Sequence, residues 1–141
     1  MDFENEEARL LFLSYAFTSI DKDHIIPEDY RGFVLKDIKH NEHIEDIEDF
    51  FTTGLINCLK LSRMKGKEKI DEETINRYFL GGHNKISDCK AYEGIVIKVN
   101  KRTAKIKTNE GTNTYRTILE PNIEVGNNVI VHGKYVIGER K

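Results

Sequence analysis

The hydrophobic period of this chain changes once, near residue 89, and that change constrains the fold more than any other feature. Before it, apolar residues recur at helical spacing. After it, they alternate with polar residues at the two-residue spacing of strands. A segment patterned for one period does not settle as the other, so two regions of different class are implied. The expected fold is α+β: an N-terminal helical bundle followed by a small C-terminal antiparallel β-barrel of OB or SH3-like type. The expected boundaries are 1–82 for the helical domain, 83–88 for a linker and 89–141 for the barrel.

The helical half reads as about four helices. Glu6 to Ile20 carries Leu10, Leu11, Phe12, Leu13, Ala16 and Phe17 on one broad arc, which predicts a largely buried helix. Pro27 suits a first turn, with Glu28 and Asp29 near the positive end of the dipole; Phe33, Val34, Leu35 and Ile38 follow, and the segment ends near His40. A third helix is expected over Glu42 to Met64, with acids at its start, bases at its end and Gly66 as its stop. Asp71 can cap a short fourth helix with Ile75, Tyr78, Phe79 and Leu80 in the core, ended by Gly81-Gly82.

The strand half has four alternating runs: Tyr92–Val99, Thr103–Thr108, Thr112–Leu119 and Asn128–Ile137. Asn100-Lys101-Arg102, Asn109-Glu110-Gly111 and Glu120-Pro121-Asn122 separate them with turn chemistry. Four or five short strands joined by tight turns suggest a small barrel.

The formal charge of −2 conceals an asymmetry. Residues 1–88 hold 12 Lys/Arg against 19 Asp/Glu, whereas residues 89–141 hold 10 against 5. The halves can therefore attract each other, or two molecules can pair head to tail. Hydrophobic residues make up 38% of the chain, too many for disorder. No apolar run approaches the roughly 20 residues that cross a bilayer. The acidic start lacks the basic flank of a secretory signal. A cytoplasmic protein with no membrane role is expected. Its two cysteines, Cys58 and Cys89, are then free thiols rather than a disulfide.

Two stretches of the strand half carry a resemblance. One is Cys89-Lys90-Ala91-Tyr92-Glu93-Gly94-Ile95-Val96; the other is Val125-Gly126-Asn127-Asn128-Val129-Ile130-Val131-His132, followed by Gly133-Lys134-Tyr135-Val136-Ile137. Together they resemble the HypC/HupF family of hydrogenase-assembly chaperones over about 50 residues, in motif order and strand content. The resemblance implies a HypC-like barrel and a non-enzymatic accessory or chaperone protein. It further implies docking on a maturation factor or hydrogenase large subunit, and iron engaged through Cys89, with His132 beside it. Glu93 stands at the family's Pro and Asn127 at its Asp, and the family's Gly after the His is shifted to Gly133. A carboxylate near the thiol tends to raise the thiol's pKa. The helical half, through Tyr15-Ala16-Phe17, Pro27-Glu28-Asp29 and Tyr78-Phe79-Leu80-Gly81, resembles an uncharacterised family that joins helices to a HypC-like tail.

Each candidate residue has a plainer reading. Cys89 can be a small apolar strand opener and His132 a polar residue near a strand end. His83, close in sequence to Cys89, can be a third ligand if the linker folds over the barrel. His40 and His43 are more simply solvated helix-end residues, and Cys58, set among Leu55, Ile56 and Leu59, is core. Lys98, Lys101, Arg102, Lys105 and Lys107 form a basic hairpin. With Tyr92, Tyr115 and Tyr135 it offers an alternative function, a nucleic-acid-binding barrel. A metal-free protein-interaction adaptor is the remaining alternative. No phosphate loop, nucleophile elbow, CxxC or HExxH is present, so no enzyme is expected.

Overall fold

Asn5 starts the first helix. Its side-chain oxygen accepts the Ala8 N–H at 2.9 Å, and Glu6 and Glu7 follow at the positive end of the dipole. Helix α1 runs Glu6–Lys22, α2 Tyr30–His40, α3 Thr52–Met64, α4 Glu72–Leu80 and α5 Gly82–Ile86. Five strands follow: β1 Ala91–Val99, β2 Thr103–Thr108, β3 Gly111–Arg116, β4 Asn128–His132 and β5 Tyr135–Glu139. The chain is therefore α+β. The computed structural model describes residues 2–22, 30–40, 51–86 and 90–140. The expected helix positions Pro27–Asp29 and Glu42–Phe50 lie outside these. No described helix is long and apolar enough to cross a membrane.

Helix α1 is the centre of the helical half, packing on α2, α4 and β5. Of the expected arc, Phe12, Leu13, Ala16 and Phe17 are buried and Leu10 and Leu11 half-buried; Ala8 and Tyr15, outside that arc, are buried too. So is Arg9, which no apolar pattern anticipates. Its guanidinium meets the buried Asp37 of α2 through two bonds, at 2.5 and 3.0 Å, and reaches Glu6 at 2.6 Å. Burial works against the arginine's charge, but the hydrogen bonds to Asp37 and Glu6 outweigh it and raise its pKa above the ordinary value.

Helix α3 buries Leu55, Cys58 and Ser62, and the Ser62 hydroxyl donates to the Lys69 carbonyl at 2.6 Å. Asp71 caps α4 by accepting the Thr74 N–H at 2.8 Å; Ile75, Tyr78 and Phe79 are buried and Leu80 is partly so. Just ahead of the cap, Ile70 pairs with Phe3 in a parallel bridge that fastens the N-terminus. The helix stops at Gly81, where a Cβ would sit 2.8 Å from the Arg77 carbonyl. The connector expected over 83–88 is helical in its first part, since α5 spans Gly82–Ile86, and 87–89 lie outside the described residues.

Strands β1, β2 and β3 form a meander, with Val96 opposite Ile106 and Ala104 opposite Tyr115. After a long return, β4 lies beside β1, and β5 closes the ring through one parallel pairing of Arg116 with Tyr135. The order is β1-β2-β3-β5-β4, closing on itself. Two expectations change. The run Asn128–Ile137 is two strands, because Gly133 takes φ +60° and turns the chain back at His132. The third strand ends at Arg116 rather than Leu119.

Alternation sorts the barrel into two cores. Val96, Ala104, Ile106, Tyr115, Val129, Val131 and Val136 fill the inside. Ala91, Ile130, Tyr135 and Ile137 face outward, yet they too are buried, joining the cluster that holds Phe12, Tyr15, Phe17 and Phe79. Helices and barrel thus share one apolar seam.

The capping carboxylate of Asp71 generates a pH prediction. Its burial would raise its pKa, but hydrogen bonds from Lys67 and Thr74 hold it down at about 2, from 3.8. A depressed carboxylate stabilises the fold above its unfolded pKa and ceases to do so as pH falls through its folded one. Asp71→Ala is expected to lose about 1–2 kcal/mol at neutral pH. The gap to wild type should close between about pH 4 and pH 2 in urea melts. Asp71→Asn, which keeps the cap, should lose less at neutral pH.

Candidate functional site

His132 closes β4, with Val129 and Val131 pointing inside the barrel and Ile130 and His132 pointing out. The sequence reading places it in the middle of the last strand; the Gly133 turn makes it the final residue of the penultimate one. It is 1% exposed, because α1 and α4 cover that face. Its Nδ1 lies 2.8 Å from the Tyr15 carbonyl. A carbonyl only accepts, so Nδ1 carries a proton, and in the neutral ring Nε2 is the unprotonated nitrogen.

Around that imidazole stands an aromatic cluster. The Phe79 ring centroid is 5.8 Å away and that of Tyr15 5.9 Å, the two rings themselves stacked at 4.1 Å. The Tyr15 hydroxyl donates to Asn76 at 2.7 Å, and burial raises its pKa well above the usual tyrosine value. The nearest of these rings is that of His83, 5.0 Å from His132 at 76°.

Helix α5 brings His83 there, and Asn84 anchors the helix. The Asn84 amide donates to the Ala91 carbonyl at 2.7 Å and accepts the Ala91 N–H at 2.8 Å, taking the place of a strand partner. Ala91 is itself the register partner of His132, and the Gly133 N–H reaches the Lys90 carbonyl at 3.3 Å. The two motif stretches are therefore neighbours at their backbones. Cys89 lies outside the described residues, as does His43; His40 is the last residue of α2. Among the described residues, no three His, Cys, Asp or Glu side chains gather as a metal-binding group.

Other motif positions have structural roles. Glu93 forms an ion pair with Arg140 at 2.9 Å, both partly exposed. Cys58 is buried and its thiol is pushed up to about 12 by burial, which makes it a core residue and a poor nucleophile. The cations Lys98, Lys101, Arg102, Lys105 and Lys107 are all exposed. The tyrosines expected to stack beside them are not available for it: Tyr115 and Tyr135 are buried and Tyr92 is half-buried. Alternation explains this for Tyr115, which pairs with Ala104 on the inner face.

Gly94 is fixed by packing. A Cβ there would lie 2.6 Å from Ile106 Cγ2 and 2.8 Å from the Lys107 carbonyl, a contact that backbone cannot relieve cheaply. Gly94→Ala is expected to destabilise the chain by about 1–3 kcal/mol in denaturant melts. A neutral result would show that β1 and β2 can separate at this point. No protein-family model matches the chain, and no curated protein matches it significantly.

Proposed function

We propose that the chain is a non-enzymatic accessory protein of the hydrogenase-maturation type, which docks on a partner protein and engages iron through Cys89 and His132. The observation that carries this reading is the β1–β4 register. It sets Ala91 opposite His132 and Lys90 against Gly133, so both stretches of the HypC-like resemblance meet at one end of the barrel. The strand order supports a HypC-like barrel of the OB type. Three hairpin-linked strands with a fourth returning beside the first make a Greek key, the arrangement of a five-stranded OB barrel.

The described residues suit iron in two respects. A metal-bound histidine usually gives its other N–H to a carbonyl or carboxylate, and His132 gives Nδ1–H to Tyr15. Two imidazoles on one ion, with metal–nitrogen bonds near 2.0–2.1 Å, have ring centroids about 5 Å apart. The 5.0 Å between His83 and His132 matches that separation, so His83 joins Cys89 and His132 as a candidate ligand. A thiolate with imidazoles suits iron or another borderline-soft metal. The iron is cargo here, and the chain's own contribution is to hold and orient the imidazoles.

Anaerobic iron titration of wild type, Cys89→Ser, His132→Gln and His83→Ala tests this, with melting temperatures measured beside each. Loss of Cys89 or His132 is expected to weaken binding by about 10–100-fold, and loss of His83 by less. Equal, weak binding in all four folded proteins would sink the iron role and leave a protein-interaction adaptor.

A further inference from the structure

We propose that the outer face of the β1–β2–β3 sheet binds the phosphate backbone of single-stranded nucleic acid. This surface is separate from the His132 region, which lies under the helices on the outer side of β4 and β5.

The face is built by register. Lys98 of β1 stands directly opposite Lys105 of β2, and Lys107 follows two residues along on the same side. Like charges directly opposite each other on a sheet are destabilising. Among the described residues, none of Lys98, Lys101, Arg102, Lys105 and Lys107 has a carboxylate partner that would offset this. An external anion would. Lys105 is registered opposite Thr114 and Lys107 opposite Thr112 on β3, so each lysine has a hydroxyl-bearing residue as its cross-strand partner, and Arg116 ends the row. Amines, guanidinium and hydroxyls are the groups that contact nucleic-acid phosphates. Lys105 and Lys107 repeat at about 6.6–6.8 Å along the strand. That spacing suits successive phosphates of an extended strand. The Lys101-Arg102 turn frames one end of the face, and in OB-type barrels the face of strands 2 and 3 with the β1–β2 loop is the oligonucleotide surface.

The occupant is nucleic acid rather than an acidic protein because the face has no aromatic anchor of the kind that concentrates binding energy at protein interfaces, and the open cavity at its edge, which Glu93, Ile95, Lys107, Asn109 and Arg140 help to line, holds no ring. Tyr115 points inward, and the exposed apolar residues of β1 are Ile95, opposite Lys107, and Ile97 and Val99 further along the strand. With no stacking ring, the phosphates must supply most of the affinity. Binding should then be steeply salt-dependent and nearly indifferent to sequence.

The test is fluorescence anisotropy of a labelled oligothymidylate about 20 nucleotides long against the full chain, between about 50 and 200 mM salt. For about four phosphates neutralised, the slope of log K on log salt should be near −3. Lys105→Glu/Lys107→Glu should bind at least tenfold more weakly with a melting temperature no lower than wild type's, since a carboxylate opposite Lys98 would relieve the repulsion there; Lys105→Gln/Lys107→Gln serves if the reversal disturbs folding. Wild-type affinity in the folded variants, or no binding at low salt, would overturn the proposal. Polyglutamate displacing the oligonucleotide at equal charge concentration would also overturn it, in favour of an acidic protein partner.

Discussion

The buried outer face of β4 and β5 is the constraint on which the rest of the structure depends. A closed five-stranded ring leaves its exterior to water, but here Ala91, Ile130, Tyr135 and Ile137 present an apolar exterior that water would not tolerate cheaply. The helices have the complementary difficulty. Helix α4 has nine residues and α5 five, too few to be stable alone. Each part covers what the other leaves uncovered. The bond from His132 to the Tyr15 carbonyl gives that apolar contact a polar fixed point, because a buried ring N–H left without an acceptor would oppose burial of the strand end.

The Arg9–Asp37 pair sets the geometry one layer away, between α1 and α2. Both side chains are fully buried, so their desolvation opposes folding while the paired hydrogen bonds favour it. Such a pair adds little net stability. Removing either partner alone would strand a charge, and that asymmetry favours the one helix arrangement in which both meet. Glu6, one turn before Arg9 and partly exposed, places further negative charge beside the guanidinium.

Much of the fold is legible in the sequence where the signal is local. The wide apolar arc of α1, the Asp71 cap and the alternation of β1 and β2 all depend on residues within a few positions of one another. What escapes is decided by distant partners. Arg9 sits in an apolar stretch and gives no local sign that Asp37, 28 residues on, will neutralise it. Asn128–Ile137 reads as one strand because both faces of β4 and β5 are buried, one by the barrel and one by the helices, so apolar residues crowd both sides of the short Gly133-Lys134 turn. Only Gly133 marks the break. The same holds at the candidate site. His132 is visible as a motif residue, but the approach of His83 depends on Asn84 binding Ala91, which no periodicity encodes. The basic hairpin is plain in the sequence, whereas the inward turn of Tyr115 follows from a register that the sequence only partly specifies.

The long reach of the seam has a consequence for synthesis on the ribosome. Tyr15 and His132 are 117 positions apart, so α1 leaves the exit tunnel long before the strands that cover it exist. For most of translation Phe12, Tyr15 and Phe17 have at best their helical neighbours as shelter. Closing a loop of that length before any contact rewards it slows folding and lengthens exposure of the nascent apolar surface. A chain ordered this way completes its seam only once β5 has been made, so its apolar helix face stays open to misassembly until then.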